Sequence, residues 1–120
     1  MVKSVINKSI KVILSLGLIF PLFASAQALV EFHIAPGTGE GPWNKFNDPV
    51  RVTVGQTLRI INDDSVDHTL HTNGSPCPHG SLMSPGGYWD CQIFSPHSAG
   101  EEDLYDHEFG PDAQMYIEAN

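Results

Sequence analysis

PVRVTVGQTLRIINDDSVDHTLHT, residues 49–72, holds two short runs in which apolar and polar side chains alternate, Val50–Val54 and Thr57–Ile61. Gly55-Gln56 separates them. Alternation with period two is the pattern of a half-buried β-strand. The polar turn Asn62-Asp63-Asp64-Ser65 follows, and the next strand is expected to open with His68. A histidine just past a turn can project from the rim of a sheet while its neighbours pack inward. This corner is therefore the candidate place for a metal or small ligand.

The flanking chain repeats the strand-and-turn rhythm. Leu29–Ile34 alternates, with Val30, Phe32 and Ile34 expected on the core side and Glu31 and His33 in solvent. Ala35–Asp48 carries Pro36, Gly37, Gly39, Gly41 and Pro42 and reads as a loop pinned by Trp43 and Phe46. Asn73–Gly87, rich in Gly, Ser and Pro, is a second long loop. It leads into Tyr88–Phe94, a strand expected to turn Trp89, Cys91 and Ile93 inward. Ser95–Gly100 is a turn containing His97, and a last pair of strands, Asp103–His107 and Gln114–Ala119, flanks Gly110-Pro111. No internal repeat or amphipathic helix interrupts this order. Many short strands with regular turns point to an all-β sandwich or barrel.

The 120 residues allow one domain, and the first part has the order of a secretory signal peptide. Lys3, Lys8 and Lys11 precede the apolar run Val12–Phe23, which is shorter than the roughly 20 apolar residues of a spanning helix. Ala24-Ser25-Ala26 and Ala26-Gln27-Ala28 both offer a small-x-small cleavage site. The expectation is a leader over residues 1–26, cut after Ala26 or Ala28, and a domain over residues 27–120. The formal net charge is −8, and loss of the three leader lysines makes the exported chain more acidic still. Its cations are Lys45, Arg51 and Arg59. Such a surface argues against nucleic acid or a stable membrane association and suits a cation or a basic protein. Cys77 and Cys91 are the only cysteines. In an exported protein an even pair is more often a disulfide than two metal ligands. A bridge here would stabilise by about 3 kcal/mol on the chain-entropy estimate.

From about Val30 to the end the chain resembles the cupredoxin family of small exported copper-binding Greek-key β-sandwiches. The resemblance rests on Val52-Thr53-Val54-Gly55-Gln56-Thr57-Leu58-Arg59-Ile60, on Asn62-Asp63-Asp64, on His68-Thr69-Leu70, on Pro85-Gly86, and on the closing Gly100…Tyr105…His107…Met115 region. It implies a first copper ligand just after the Asn-Asp turn, at His68, and an axial methionine at Met115. His107 stands where the family pattern has cysteine, and Gly110 where it has a second histidine. A blue-copper centre needs the copper–thiolate bond. The implied site is therefore a non-thiolate His68, His107 and Met115 set. In a regular strand residues 68 and 71 face opposite sides, so His71 joins the set only if the strand twists or ends there. His79, Asp106 and Glu108 are the remaining nearby candidates.

The leading expectation is a periplasmic or secreted copper-binding protein acting in copper handling or electron transfer. A basic redox or copper-transfer protein is its expected partner. A metal-free interaction module on the same fold is the alternative, drawn from the missing cysteine and histidine. Nothing in the chain shows a nucleophile–base arrangement, so an enzyme is not expected.

Overall fold

The structure, a computed structural model, describes residues 28–101 and 104–120. The expected leader over residues 1–26 lies outside the described residues, as does Asp103 at the head of an expected strand. Eight strands run in chain order: β1 (Val30–Ile34), β2 (Val50–Val52), β3 (Thr57–Asn62), β4 (Leu70–His71), β5 (Tyr88–Gln92), β6 (Tyr105–Asp106), β7 (Gly110–Gln114) and β8 (Ile117–Ala119). No helix occurs among the described residues, so none there is long and apolar enough to cross a membrane.

β3 is the middle strand of a three-stranded sheet, parallel to β1 and antiparallel to β5. Its alternation survives in the fold: Leu58, Ile60 and Asn62 are buried, and Thr57, Arg59 and Ile61 lie on the more open side. β2 pairs in parallel with β8, and β4, β6 and β7 form an antiparallel sheet in that order. The inward faces of these sheets share one core, to which Ile34, Leu58, Ile60, Leu70 and Ile117 each bring a fully buried side chain. Each such side chain contributes about 1.5–3 kcal/mol of transfer free energy. The all-β sandwich expected from the sequence is the fold observed.

Asn62, at the inner end of β3, organises the turn that follows. Its Nδ2 donates to the carbonyls of Val66 (2.7 Å) and Met83 (2.8 Å), and its Oδ1 accepts from the Asp64 N–H (2.9 Å). Cys77 and Cys91 form a disulfide, with Cα atoms 5.5 Å apart. It fastens the loop over residues 73–87 to the inward face of β5. Trp43 is buried and its backbone N–H donates to Gln114 O (2.8 Å). Phe46 is largely exposed and makes an edge contact with Tyr116, at 5.8 Å between ring centroids. Of the two expected anchors of the 35–48 loop, Trp43 is the buried one.

Several strand boundaries differ from the sequence reading: β2 ends at Val52, β5 ends at Gln92, and the expected strand Gln114–Ala119 is divided between the end of β7 and β8. Two further differences involve Asp106. The strand expected to open at His68 is regular only over Leu70–His71, because Thr69 N–H donates to the Asp106 side chain (3.1 Å) rather than to a ladder carbonyl. The final turn falls at His107–Phe109 instead of Gly110-Pro111. There the Asp106 carboxylate accepts from Glu108 N–H (3.0 Å), and the pairing register shifts between Tyr105 and Asp106. Gly110 closes the turn at φ 88°, where a side chain would be strained. Pro111 is tolerated because β7 is an edge strand that loses no ladder bond through it.

Candidate metal centre

His71 is the last residue of β4, and the β4–β6 register sets it opposite Tyr105. The two rings stack, with centroids 4.3 Å apart and an interplanar angle of 24°. Two residues beyond Tyr105, in the turn after β6, stands His107, whose N–H donates to Thr69 O (2.7 Å). The third histidine arrives with the long loop. Gly80 N–H donates to Leu70 O (2.9 Å), and a Cβ at Gly80 would lie 2.8 Å from that oxygen. Only glycine lets the loop lie this close to β4, and the approach sets His79 beside His71.

One nitrogen from each of His71, His79 and His107 lies within 4.8 Å of the other two. The rings meet edge to face, at centroid separations of 4.9 Å for 71–79, 5.1 Å for 79–107 and 5.5 Å for 71–107. His71 is half-buried and the other two are exposed. Imidazole nitrogens at this spacing need only small side-chain rotations to reach about 2.0–2.1 Å from one cation.

Hydrogen bonds decide which nitrogens are free. His71 Nε2 faces Asn73 Oδ1 at 3.3 Å and acts as donor there, which leaves the lone pair on Nδ1. That Nδ1 is buried with no hydrogen-bond partner. A buried polar atom left unpaired costs about 1–3 kcal/mol, and a coordinated cation would remove that cost. His79 Nδ1 donates to Gly80 O (2.8 Å), which leaves its Nε2 as the free acceptor. Metal-binding histidines characteristically give their second nitrogen to such a carbonyl or side-chain oxygen. The donor set thus fits a borderline cation: copper(II) first among nitrogen sites, with zinc and nickel also suited to imidazole.

His68 is elsewhere engaged. It is fully buried, its Nε2 lies 2.9 Å from Asp64 Oδ2, and its Nδ1 makes a short contact with Asp106 Oδ2. With a carboxylate oxygen against each nitrogen, neither is open to a cation. The expected pairing of His68 with His107 at one metal is therefore not what the side chains do, because the strand alternation turns residue 68 inward and residue 71 outward. Asp64 accepts from the N–H groups of Gly39 (2.9 Å), Gly37 (2.8 Å) and Ser65 (2.8 Å). The Gly39 bond and then His68 hold its carboxyl well below the usual aspartate range. Met115 is 2% exposed and packs in the hydrophobic core, with its N–H bonded to Leu104 O (3.1 Å). The other two candidates also serve the fold: Asp106 holds backbone N–H groups, and Glu108 accepts from the Thr69 hydroxyl (3.0 Å).

No protein-family model matches the sequence, and a search of curated proteins finds no match. Solved structures do match. The Cu(I) form of a methionine-to-alanine variant of amicyanin is 19% identical, covers 82% of this chain and 90% of its own, and superposes with a TM-score of 0.57. An oxidised proline-to-glycine variant of amicyanin is 16% identical over 79% of this chain and 85% of its own, again at 0.57. The fold is cupredoxin-like. At such identity the likeness reaches the backbone and not the ligands. On this cupredoxin-like frame the histidine cluster of the described residues is His71, His79 and His107.

His79 is the member that sequence reasoning left at the margin. Its signal was present in Cys77-Pro78-His79-Gly80, since a cysteine tied to a core strand brings the residue two positions on back to the sheet. The strand register that sets His71 against Tyr105 had no such signal.

Proposed function

We propose that this chain is an exported copper-binding protein whose metal centre is formed by His71, His79 and His107, acting in copper handling. The observation that carries the reading is the meeting of three imidazoles at a spacing that suits one ion, together with a buried His71 Nδ1 that has no hydrogen-bond partner. Copper, when bound, would supply an exchangeable charge or a redox couple. The chain supplies three oriented nitrogens and a stacked tyrosine. Uptake and delivery fit better than fast electron transfer, because two of the three ligands are exposed and lie on separate elements. Among the described residues no nucleophile–base pair accompanies the cluster, and a non-enzymatic role is part of the proposal. So are a periplasmic or secreted location and a basic redox or copper-transfer protein as partner, the latter because the chain carries net charge −8.

Titration calorimetry of the exported chain with copper(II), against the His71→Ala/His79→Ala/His107→Ala variant, tests this. One saturable site in the native chain, lost in the variant, is the expected result. No intense visible copper–thiolate band should appear, since both cysteines are in the disulfide. Equal binding by the two chains, or none by either, overturns the reading. A metal-free interaction module is the second reading. It draws on His68, at the position the family resemblance gives to the first ligand, being closed off between Asp64 and Asp106. An unfolding midpoint unmoved by copper, zinc or chelator would favour it, because a ligand selective for the folded state raises stability.

A further inference from the structure

The three imidazoles come from one short strand, one tight turn and one loop. The backbone bond from His107 N–H to Thr69 O (2.7 Å) and the pairing of β4 with β6 join the strand to the turn. The buried carboxylate of Asp106 reinforces that join. Its Oδ1 accepts from Thr69 N–H (3.1 Å), at the approach to β4, and from Glu108 N–H (3.0 Å), just past His107. Its Oδ2 takes the His68 ring nitrogen. That ring is clamped on its far side by Asp64, which itself accepts three backbone N–H groups. Trp43 and Phe109 flank the imidazole, each with its centroid 5.5 Å away. All three polar side chains are buried and mutually satisfied, so this chain of contacts is rigid compared with the exposed histidines it supports.

We infer that Asp106, braced by His68 and Asp64, is a positioning residue that holds His107 at its distance from His71 before any metal arrives. The inference rests on the His71–His79–His107 reading of the centre. Asp106 touches no metal in it and acts through the two backbone N–H groups that bracket the ligand-bearing elements. Losing an outer partner of this kind costs about 10–100-fold in metal affinity.

The test compares copper(II) affinity and thermal midpoint in Asp106→Ala, Asp106→Asn and Ile117→Ala. Ile117 is a buried core residue of β8 and serves as a control for loss of stability alone. Asp106→Ala is expected to bind copper about 10–100-fold more weakly. Asp106→Asn keeps an oxygen for both N–H groups and should stay within about threefold of the native chain, a drop below the 10-fold floor. Ile117→Ala should lower the midpoint and leave affinity unchanged. Native-like affinity in Asp106→Ala, a tenfold loss in Asp106→Asn, or an equal loss in Ile117→Ala each overturns the inference. If Asp106→Ala does not fold, NMR of the metal-free native chain decides. Ring-to-ring NOEs between His71 and His107 support preassembly, and their absence refutes it. Absence of copper binding in the native chain would instead sink the functional reading itself.

Discussion

At the scale of single residues, two histidines three positions apart do opposite jobs. His71 ends a strand with one nitrogen bonded and one bare, while His68 has both nitrogens taken by buried carboxylates. Removing His68 leaves one oxygen of Asp64 and one of Asp106 without their shared partner, across a void. A buried polar group left unpaired costs about 1–3 kcal/mol. His68→Ala is therefore expected to lose that much in urea unfolding, whereas His79→Ala, at an exposed position, should stay within about 0.5 kcal/mol of the native chain. Asp64 also sets the acid limit. Its folded pKa is depressed, so its contribution to stability is fully present above the ordinary value of 3.8 and is lost as pH falls toward the folded value. The unfolding midpoint should fall steeply below that pH, and Asp64→Asn should flatten the fall. An acid limb unchanged by Asp64→Asn would place the linkage on other carboxylates.

Among the elements, the loop over residues 73–87 decides whether the third imidazole is present. Two of its contacts with the body lie beside His79 in the chain: the Cys77–Cys91 disulfide and the approach of Gly80 to Leu70. The Cys77→Ser/Cys91→Ser variant is expected to be about 3 kcal/mol less stable and to bind copper more weakly, as His79 loses its tether. Gly80→Ala would set a methyl group 2.8 Å from Leu70 O, so it should weaken copper binding even where the fold survives. Calorimetry on both variants reads these effects. The element scale is also where sequence reasoning reached furthest. The alternation in Val30–Ile34, Thr57–Ile61 and Tyr88–Gln92 is that of the strands observed. The inward placement of Cys91 followed from the same period. It failed at β4 and at the last turn, where a buried aspartate side chain replaces ladder bonds and no periodicity records the exchange.

Over the whole molecule, the all-β sandwich was legible because period-two patterning and turn residues are local, while its cupredoxin-like character rested on the resemblance of motifs such as Asn62-Asp63-Asp64 and His68-Thr69-Leu70. The site was only half legible. His71 and His107 were candidates from sequence, but their meeting with His79 depends on a register between β4 and β6 and on one loop folding back, both non-local. Two of the cations of the domain are already spent in ion pairs, Arg51 with Glu118 at 2.7 Å and Arg59 with Asp90 at 2.8 Å. The acidity of the chain, −8 with the three leader lysines counted and greater without them, is thus open to any approaching cation or basic partner. A crystal of residues 27–120 grown or soaked with copper, with anomalous scattering collected at the copper edge, tests the central claim most directly. One strong peak bounded by His71 Nδ1, His79 Nε2 and the His107 ring is the expected result. A peak against His68 or Met115, or no ordered copper beside the three histidines at saturating metal, would contradict it.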